Sequence, residues 1–493
     1  MHKKLLNKIL IFLSIILIFG IVIIPCITGN IDNNYKIKIK NESLNHINSN
    51  ISTKQLILKR YSTDNNFWNR FNNADKIRSF GYWEFFGFSV SISEDNIIVG
   101  EMNDRIDTGS AYLFKNYDLL WLRTDKIYHS FWAPYDSFGL SVSIDGDYAI
   151  VGAPEKNNGT GAAYIFKRDG LSWIKTAQLL ASDGKPGYIF GFWSVSICDD
   201  YAIVGAPGGI DDNGNSTGSA YIFKRSDTTW TEEQKLTYPD GEHRGEFGIT
   251  VDIQEDYAIV GNPDTLNFTG SAYIYKRYGS TWIMEQKLTA SDAEQRNDFG
   301  LCVSLDGDYA IVGAPTKNNG TGCAYVFKRS GDIWNEEDKL IASDGMVKDN
   351  FGWSVSIDGN NAIIGAWGDD NYKGSAYIFK LDGLTWSEGK KLTASDGKAH
   401  DEFGWSVSID GDYAIIGAFF DNNGAGSAYI FKRFDIGWYQ VQRIFSSYSK
   451  SNEYIENHVI KNSNQENKIV TNSFFMRFLE RYPLLSRLLD LIK

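Results

Sequence analysis

Short runs alternating between apolar and small polar residues recur along this chain, and each is followed by a turn. SVSI, at residues 354–357 and again at 406–409, predicts a strand with one buried face. A tight turn such as Asp145-Gly146, Asp306-Gly307 or Asp410-Gly411 follows it, and Asp-Gly between strands favours a hairpin. The next run, YAIVGAP at 148–154, is apolar on both faces and predicts a deeply buried strand. A polar loop ending in glycine leads to GSAYIFKR, as at 218–225, which alternates again. A turn of the type Arg168-Asp169-Gly170-Leu171 then leads to W-x-x-x-x-K-L, as at 230–236. A polar segment of SDG type returns the chain to the next Phe-Gly pair. The unit is four antiparallel strands.

The unit repeats. The first serine of SVSI, or its replacement, falls at Ser89, Ser141, Ser194, Thr250, Cys302, Ser354 and Ser406, with steps of 52, 53, 56, 52, 52 and 52. A lone tryptophan marks the same seven copies at Trp121, Trp173, Trp230, Trp282, Trp334, Trp386 and Trp438. The step of 56 reflects four extra residues within 206–218. These observations predict an all-β fold, a seven-bladed β-propeller of about 52-residue four-stranded repeats. A solenoid is the rival, but closing the ring removes exposed sheet edges and needs no distinct capping repeats. The tryptophan suits a position between adjacent blades. Residues 56–68 resemble a degraded third and fourth strand, with Trp68 standing 53 residues before Trp121. This copy either supplies the outer strand of the last blade or lies outside as an extra.

The ends differ in pattern. A basic start and a sixteen-residue apolar run, 9–24, make residues 1–29 a signal peptide or N-terminal anchor. Residues 30–54 read as a polar linker, 55–446 as the propeller, and 447–471 as a second polar linker. Residues 472–493 carry apolar positions at helical spacing with Arg477, Arg481, Arg487 and Lys493 between them, which predicts a short C-terminal amphipathic helix. Membrane contact is expected through these termini. Composition adds exclusions. The net charge of −12 argues against a nucleic-acid partner. Cys198, Cys302 and Cys323 stand where sister repeats carry turn residues or serine, so neither a disulfide framework nor a metal cluster is expected.

The repeats resemble the FG-GAP family, the modules of integrin α-chain propellers and many microbial surface proteins. The resemblance rests on Phe-Gly at 86–87, 138–139, 247–248, 299–300, 351–352 and 403–404, followed by Gly-Ala-Pro at 152–154, 205–207 and 313–315. It covers about residues 80 to 445. The third copy reads FGFWSVSI, with its Phe-Gly slipped by one residue, and Gly-Ala-Pro becomes Gly-Asn-Pro at 261–263, Gly-Ala-Trp at 365–367 and Gly-Glu-Met at 100–102. Integrin-like repeats often carry a calcium loop between the two motifs. Here that loop is only DGD or a relative, too short to wrap a cation. The resemblance implies adhesion or protein binding at a surface and names no ligand.

In such a blade the b–c loops and the returns between blades emerge on one face. The returns bring Asp183, Asp240, Asp292, Asp344 and Asp396 there as ligand-face candidates; the b–c loops add Asp211, Asp212, Asp264, Asp369, Asp370 and Asp421. A carboxylate ring attracts cations or a basic partner, yet Asp is also an ordinary turn former. Asp211, Asn213 and Asn215 alternate loosely like a calcium loop, which makes them a candidate Ca2+ site although the family calcium loop is absent; no other cofactor is expected. Asn158, Asn215, Asn267 and Asn319 begin glycosylation sequons in the b–c loops. The six histidines share no repeat position, and no hydrolase or zinc motif is present. The expectation is a secreted or cell-surface binding and adhesion propeller, exported by its N-terminus, that engages an extracellular protein or glycan, with no catalytic residue and no enzymatic activity. The alternatives are a hydrolase or lyase with an active site at the central channel, or a structural envelope component.

Overall fold

The computed structural model describes residues 84–446, apart from 104–107, 118–119, 129–135, 211–216 and 241–245. The chain divides into two compact units, Met1–Lys76 and Ile77–Lys493, and the described residues belong to the second. The N-terminal signal or anchor, the strand-like copy at 56–68 and the C-terminal helix at 472–493 lie outside the described residues.

Seven four-stranded antiparallel sheets follow one another at 86–127, 142–179, 195–237, 251–288, 303–340, 354–392 and 406–444. We call them blades 1 to 7, with strands a to d from the axis outward. The pattern read from the sequence explains each strand. Strand b, such as Tyr201–Ala206, is buried throughout. Strand c buries its first five residues and exposes its Lys-Arg end, as in Ser219–Ser226. In strand d, such as Ile333–Leu340, Trp334 and Leu340 are the buried residues, so it forms the wet outer rim. In every blade the register of d against c slips by one residue, a β-bulge that skips Thr124, Thr176, Glu233, Glu285, Glu337, Gly389 or Val441.

The two glycine motifs meet at the seams between blades. A Cβ added to the GAP glycine of any blade would lie 1.9–2.2 Å from the carbonyl oxygen of the next blade's FG glycine, or in blade 2 of its equivalent Gly191. Only a residue without a side chain permits that approach. The serine anchor secures the same carbonyl: Ser89, Ser141, Thr250, Ser354 and Ser406 donate to it at 2.9–3.1 Å. At Cys302 the thiol, a weak donor, sits 3.9 Å from the Val355 carbonyl instead. Nearer the axis, an Ile or Leu N–H of each strand a donates to the second polar residue of the neighbouring SVSI. The acceptors are Ser91, Ser143, Ser196, Asp252, Ser304, Ser356 and Ser408, at 2.8–3.4 Å. At the rim, Trp230, Trp282, Trp334 and Trp386 pack on a tyrosine of the preceding blade's strand b, 5.7–6.4 Å between ring centres.

The last seam repeats the others. Gly426 bridges Phe86 as Gly109 bridges Phe138, Ser406 reaches Gly87, and Trp121 packs on Tyr413 at 5.3 Å. The outer strand of blade 7 is Gly437–Ile444, from its own repeat. The option that residues 56–68 complete that blade is therefore corrected: the ring closes by side-to-side contact, with no exchanged strand. No helix among the described residues is long and apolar enough to cross a membrane.

Candidate functional site

The parallel bridges pair the end of each b–c loop with the next blade's FG phenylalanine, so these loops and the returns share one face. Several b–c loops carry a left-handed turn, as at Asn157-Asn158 and Asn318-Asn319, where φ is 52° to 59°. Asn tolerates that conformation better than most residues. Asn158 and Asn319 are exposed there. Asn215, like Asp211 and Asn213, lies outside the described residues, as does the side chain of Asn267.

The five return aspartates are not gathered at one point. Each is held by a Tyr and a Lys or Arg of the following blade. Tyr221 donates to Asp183 at 2.7 Å and Lys235 at 2.8 Å. Tyr325 and Lys339 hold Asp292 at 2.5 and 2.7 Å, and Tyr377 and Lys391 hold Asp344 at 2.8 and 2.7 Å. Tyr273 and Lys287 do the same for Asp240, and Tyr429 and Arg443 for Asp396. Burial alone would raise the Asp292 carboxyl, but the hydrogen bonds from Lys339 and Tyr325 outweigh it and hold it at about 2. Asp183, Asp240 and Asp344 are lowered by the same balance. In the b–c loops, Asp369 and Asp421 are 4% exposed and accept from Ser375 and Ser427. Among the described residues, no group of three or more His, Cys, Asp or Glu is placed to hold a metal ion.

Sequence reasoning missed what occupies the axis on this face. The residue after FG points inward, and in blades 1, 6 and 7 it is Phe88, Trp353 and Trp405. In blade 3 the Phe-Gly pair is not slipped. Phe190 bridges Gly161, and the Gly191 N–H donates to Gly205 at 2.8 Å, as in the other blades. The extra residue falls after it, and Trp193 reaches across the axis to Phe88 at 6.2 Å and to Trp353 and Trp405 at 6.4 Å. Trp353 and Trp405 are 4.8 Å apart. Trp367, in the place of the GAP proline, lies 5.6 and 5.7 Å from them, and Phe419 lies 4.5 Å from Trp405. Tyr372 continues from Trp367 at 5.5 Å, and His400 stacks on Tyr372. Phe88, Trp193, Trp353, Trp367 and Trp405 are half-buried. The signal was present in the residues after FG and after GA, read across copies.

At the opposite mouth the a–b turns form a polar ring. Asp145, Gln254, Asp306 and Asp358 accept from backbone N–H groups of the next blade at 2.6–2.9 Å, and Asp410 accepts from Glu94. Burial raises Asp358 and Asp410, and the neighbouring ring carboxylates add to it.

Several known proteins are similar to this chain. Over 197 residues it is 28% identical to mouse (Mus musculus) integrin alpha-2, a match spanning 36% of this chain and 16% of that protein's length. Among solved structures, one of a Lactobacillus plantarum protein aligns at TM-score 0.48 with 13% identity, covering 71% of this chain and 96% of that one. The periplasmic gluconolactonase of Pseudomonas aeruginosa aligns at TM-score 0.49 with 14% identity and the same coverage, 71% and 96%. Likeness at this level assigns no activity. The expectation that this chain is no enzyme is withdrawn, because a missing catalytic motif does not exclude a reaction. The FG-GAP repeat model matches residues 83–114, 121–166, 173–223, 230–275, 282–327, 334–379 and 386–431. These are the seven repeats whose glycines meet at the seams, and the chain belongs to the FG-GAP repeat family.

Proposed function

We propose that this chain is a binding propeller, placed outside the cell or on its surface, that engages a macromolecular partner through the b–c face. The observation that carries this reading is the axial aromatic cluster. Trp353, Trp367 and Trp405, with Trp193 and Phe88, leave large rings partly in water on one face. Exposed aromatic surface is costly in isolation, and Trp and Tyr supply much of the energy of protein interfaces. Family membership and the integrin relative support a place at the cell surface. Export by residues 1–29, membrane contact through the termini, glycosylation of the sequons and a calcium at Asp211, Asn213 and Asn215 belong to the same proposal.

Capture from the native cell surface tests it, with the full chain as bait and with Trp367→Ala and Tyr372→Ala beside it. Tyr372 lies at the edge of the cluster and Trp367 is half-buried within it, so each variant is taken into capture only with a native thermal midpoint. A partner retained by the native chain and reduced at least about tenfold by either substitution is expected. Capture that ignores both substitutions removes the reading. A parallel arm in EDTA tells whether a cation takes part.

A further inference from the structure

A second feature of the same face lies off the axis. An open pocket of about 770 Å³ spans blades 4 to 6, between the return at 294–298, the b–c turn at 316–320, Phe268 and the next return. That volume is in the range of small-molecule sites. Its wall carries two cationic and two anionic side chains, so it has no net charge with which to select an ion. Five carboxamides, from Gln295, Asn297, Asn318, Asn319 and Asn350, supply donors and acceptors side by side. Phe268 stands at the edge, 49% exposed, offering an apolar ring.

Asn297 makes this place unlike its sister returns. In the two returns that follow, the equivalent residue is a carboxylate that closes the turn: Asp349 accepts from the Met346 N–H, and Asp401 from the Lys398 N–H, both at 2.6 Å. Asn297 is equally buried, 3% exposed, but its amide nitrogen finds no acceptor among the described residues. A buried donor left without an acceptor is a cost that an entering oxygen relieves. Beside it, Asp298 lies 2.9 Å from the Thr316 hydroxyl, and burial raises its carboxyl, so it is suited to share hydrogen bonds with further hydroxyls.

We propose that this pocket binds a neutral saccharide, with Phe268 against the apolar face of a pyranose ring and the carboxamides and Asp298 on its hydroxyls. Neutrality, dense amides and one exposed aromatic edge together match that chemistry and no ionic ligand. The sugar has two sources, a glycan of another molecule or an N-linked chain on Asn319, which begins the sequon Asn319-Gly320-Thr321 and itself lines the wall. The site is separate from the axial aromatics and stands or falls without them.

The full chain from a host without N-glycosylation is applied to an array of neutral glycans, and the strongest binder is titrated by calorimetry. Loss of about tenfold in affinity is expected for Phe268→Ala and for Asn297→Asp. Asn297→Asp restores the residue type of the sister returns, so its thermal midpoint is expected to stay at the native value. Trp367→Ala is expected to bind as the native chain does. Binding to no neutral glycan, equal binding by Phe268→Ala and Asn297→Asp, or loss confined to Trp367→Ala overturns the proposal. Protein from a glycosylating host separates the sources. Binding blocked there and restored by Thr321→Ala identifies the chain's own glycan as occupant; binding unchanged there identifies an external one, and either result supports a saccharide site.

Discussion

Glu402 shows how one residue carries the chemistry of its place. It precedes FG in blade 7, adopts φ 57° and donates its N–H to the Tyr372 carbonyl at 2.9 Å. Burial lifts its carboxyl from 4.5 to about 7. The folded chain therefore keeps a proton that the unfolded chain releases. This group's contribution to stability is full below about pH 4.5 and is lost as pH rises through about 7. Glu402→Gln, which cannot ionise, is expected to leave urea unfolding unchanged near pH 4 and to raise stability near pH 8 by roughly 1–3 kcal/mol. Equal effects at both pH values would sink the assignment. Such positions were only partly legible in the sequence, because the repeat aligns Glu402 with Glu246 and Asp298 but also with Phe85, Ser137, Ile189 and Asn350, and only the fold shows which neighbours each one meets. Trp193 was hidden for a related reason: one inserted residue looks like a slipped motif until the bridge from Phe190 to Gly161 fixes the register.

At the scale of the element, the blade was readable almost strand by strand. Asp-Gly turns, the doubly apolar strand b and the spacing of Trp334 to Leu340 each correspond to an observed feature. These signals are local, since alternation and turn chemistry depend on a few neighbours in the chain. The clasps that occupy Asp183 and Asp292 were not readable, because their Tyr and Lys partners come from the following blade, 33 to 52 residues away. The seam also separates glycines by role. Gly313→Ala would place a methyl 2.0 Å from the Gly352 carbonyl and should cost about 2–4 kcal/mol. Gly307→Ala, in the open hairpin turn with φ 55°, should cost about 1–2 kcal/mol from backbone strain alone. Chemical denaturation of the two variants compares them, and equal losses would deny the seam its part in stability.

The whole ring has no privileged seam. Blade 7 meets blade 1 through the same bridge, serine and aromatic contacts that join the other blades, and Ser446 donates to Glu84 at 3.0 Å, so the two ends of the propeller are neighbours. A circular permutant of residues 84–446, joined there by a short flexible linker and opened at the exposed Met346–Val347 return, should fold and melt within a few degrees of the unpermuted ring. Failure to fold would mean that the seam at Gly426 and Phe86 carries something the others lack.

The kink that interrupts every strand d, at Thr124, Glu233, Val441 and their counterparts, reaches beyond a single molecule. An unpaired rim strand invites a foreign strand to add to it, and a bulge spoils the template. Rings packed side by side in a dense coat would touch at their perimeters without knitting into a continuous fibre, leaving each one free to turn its loops outward.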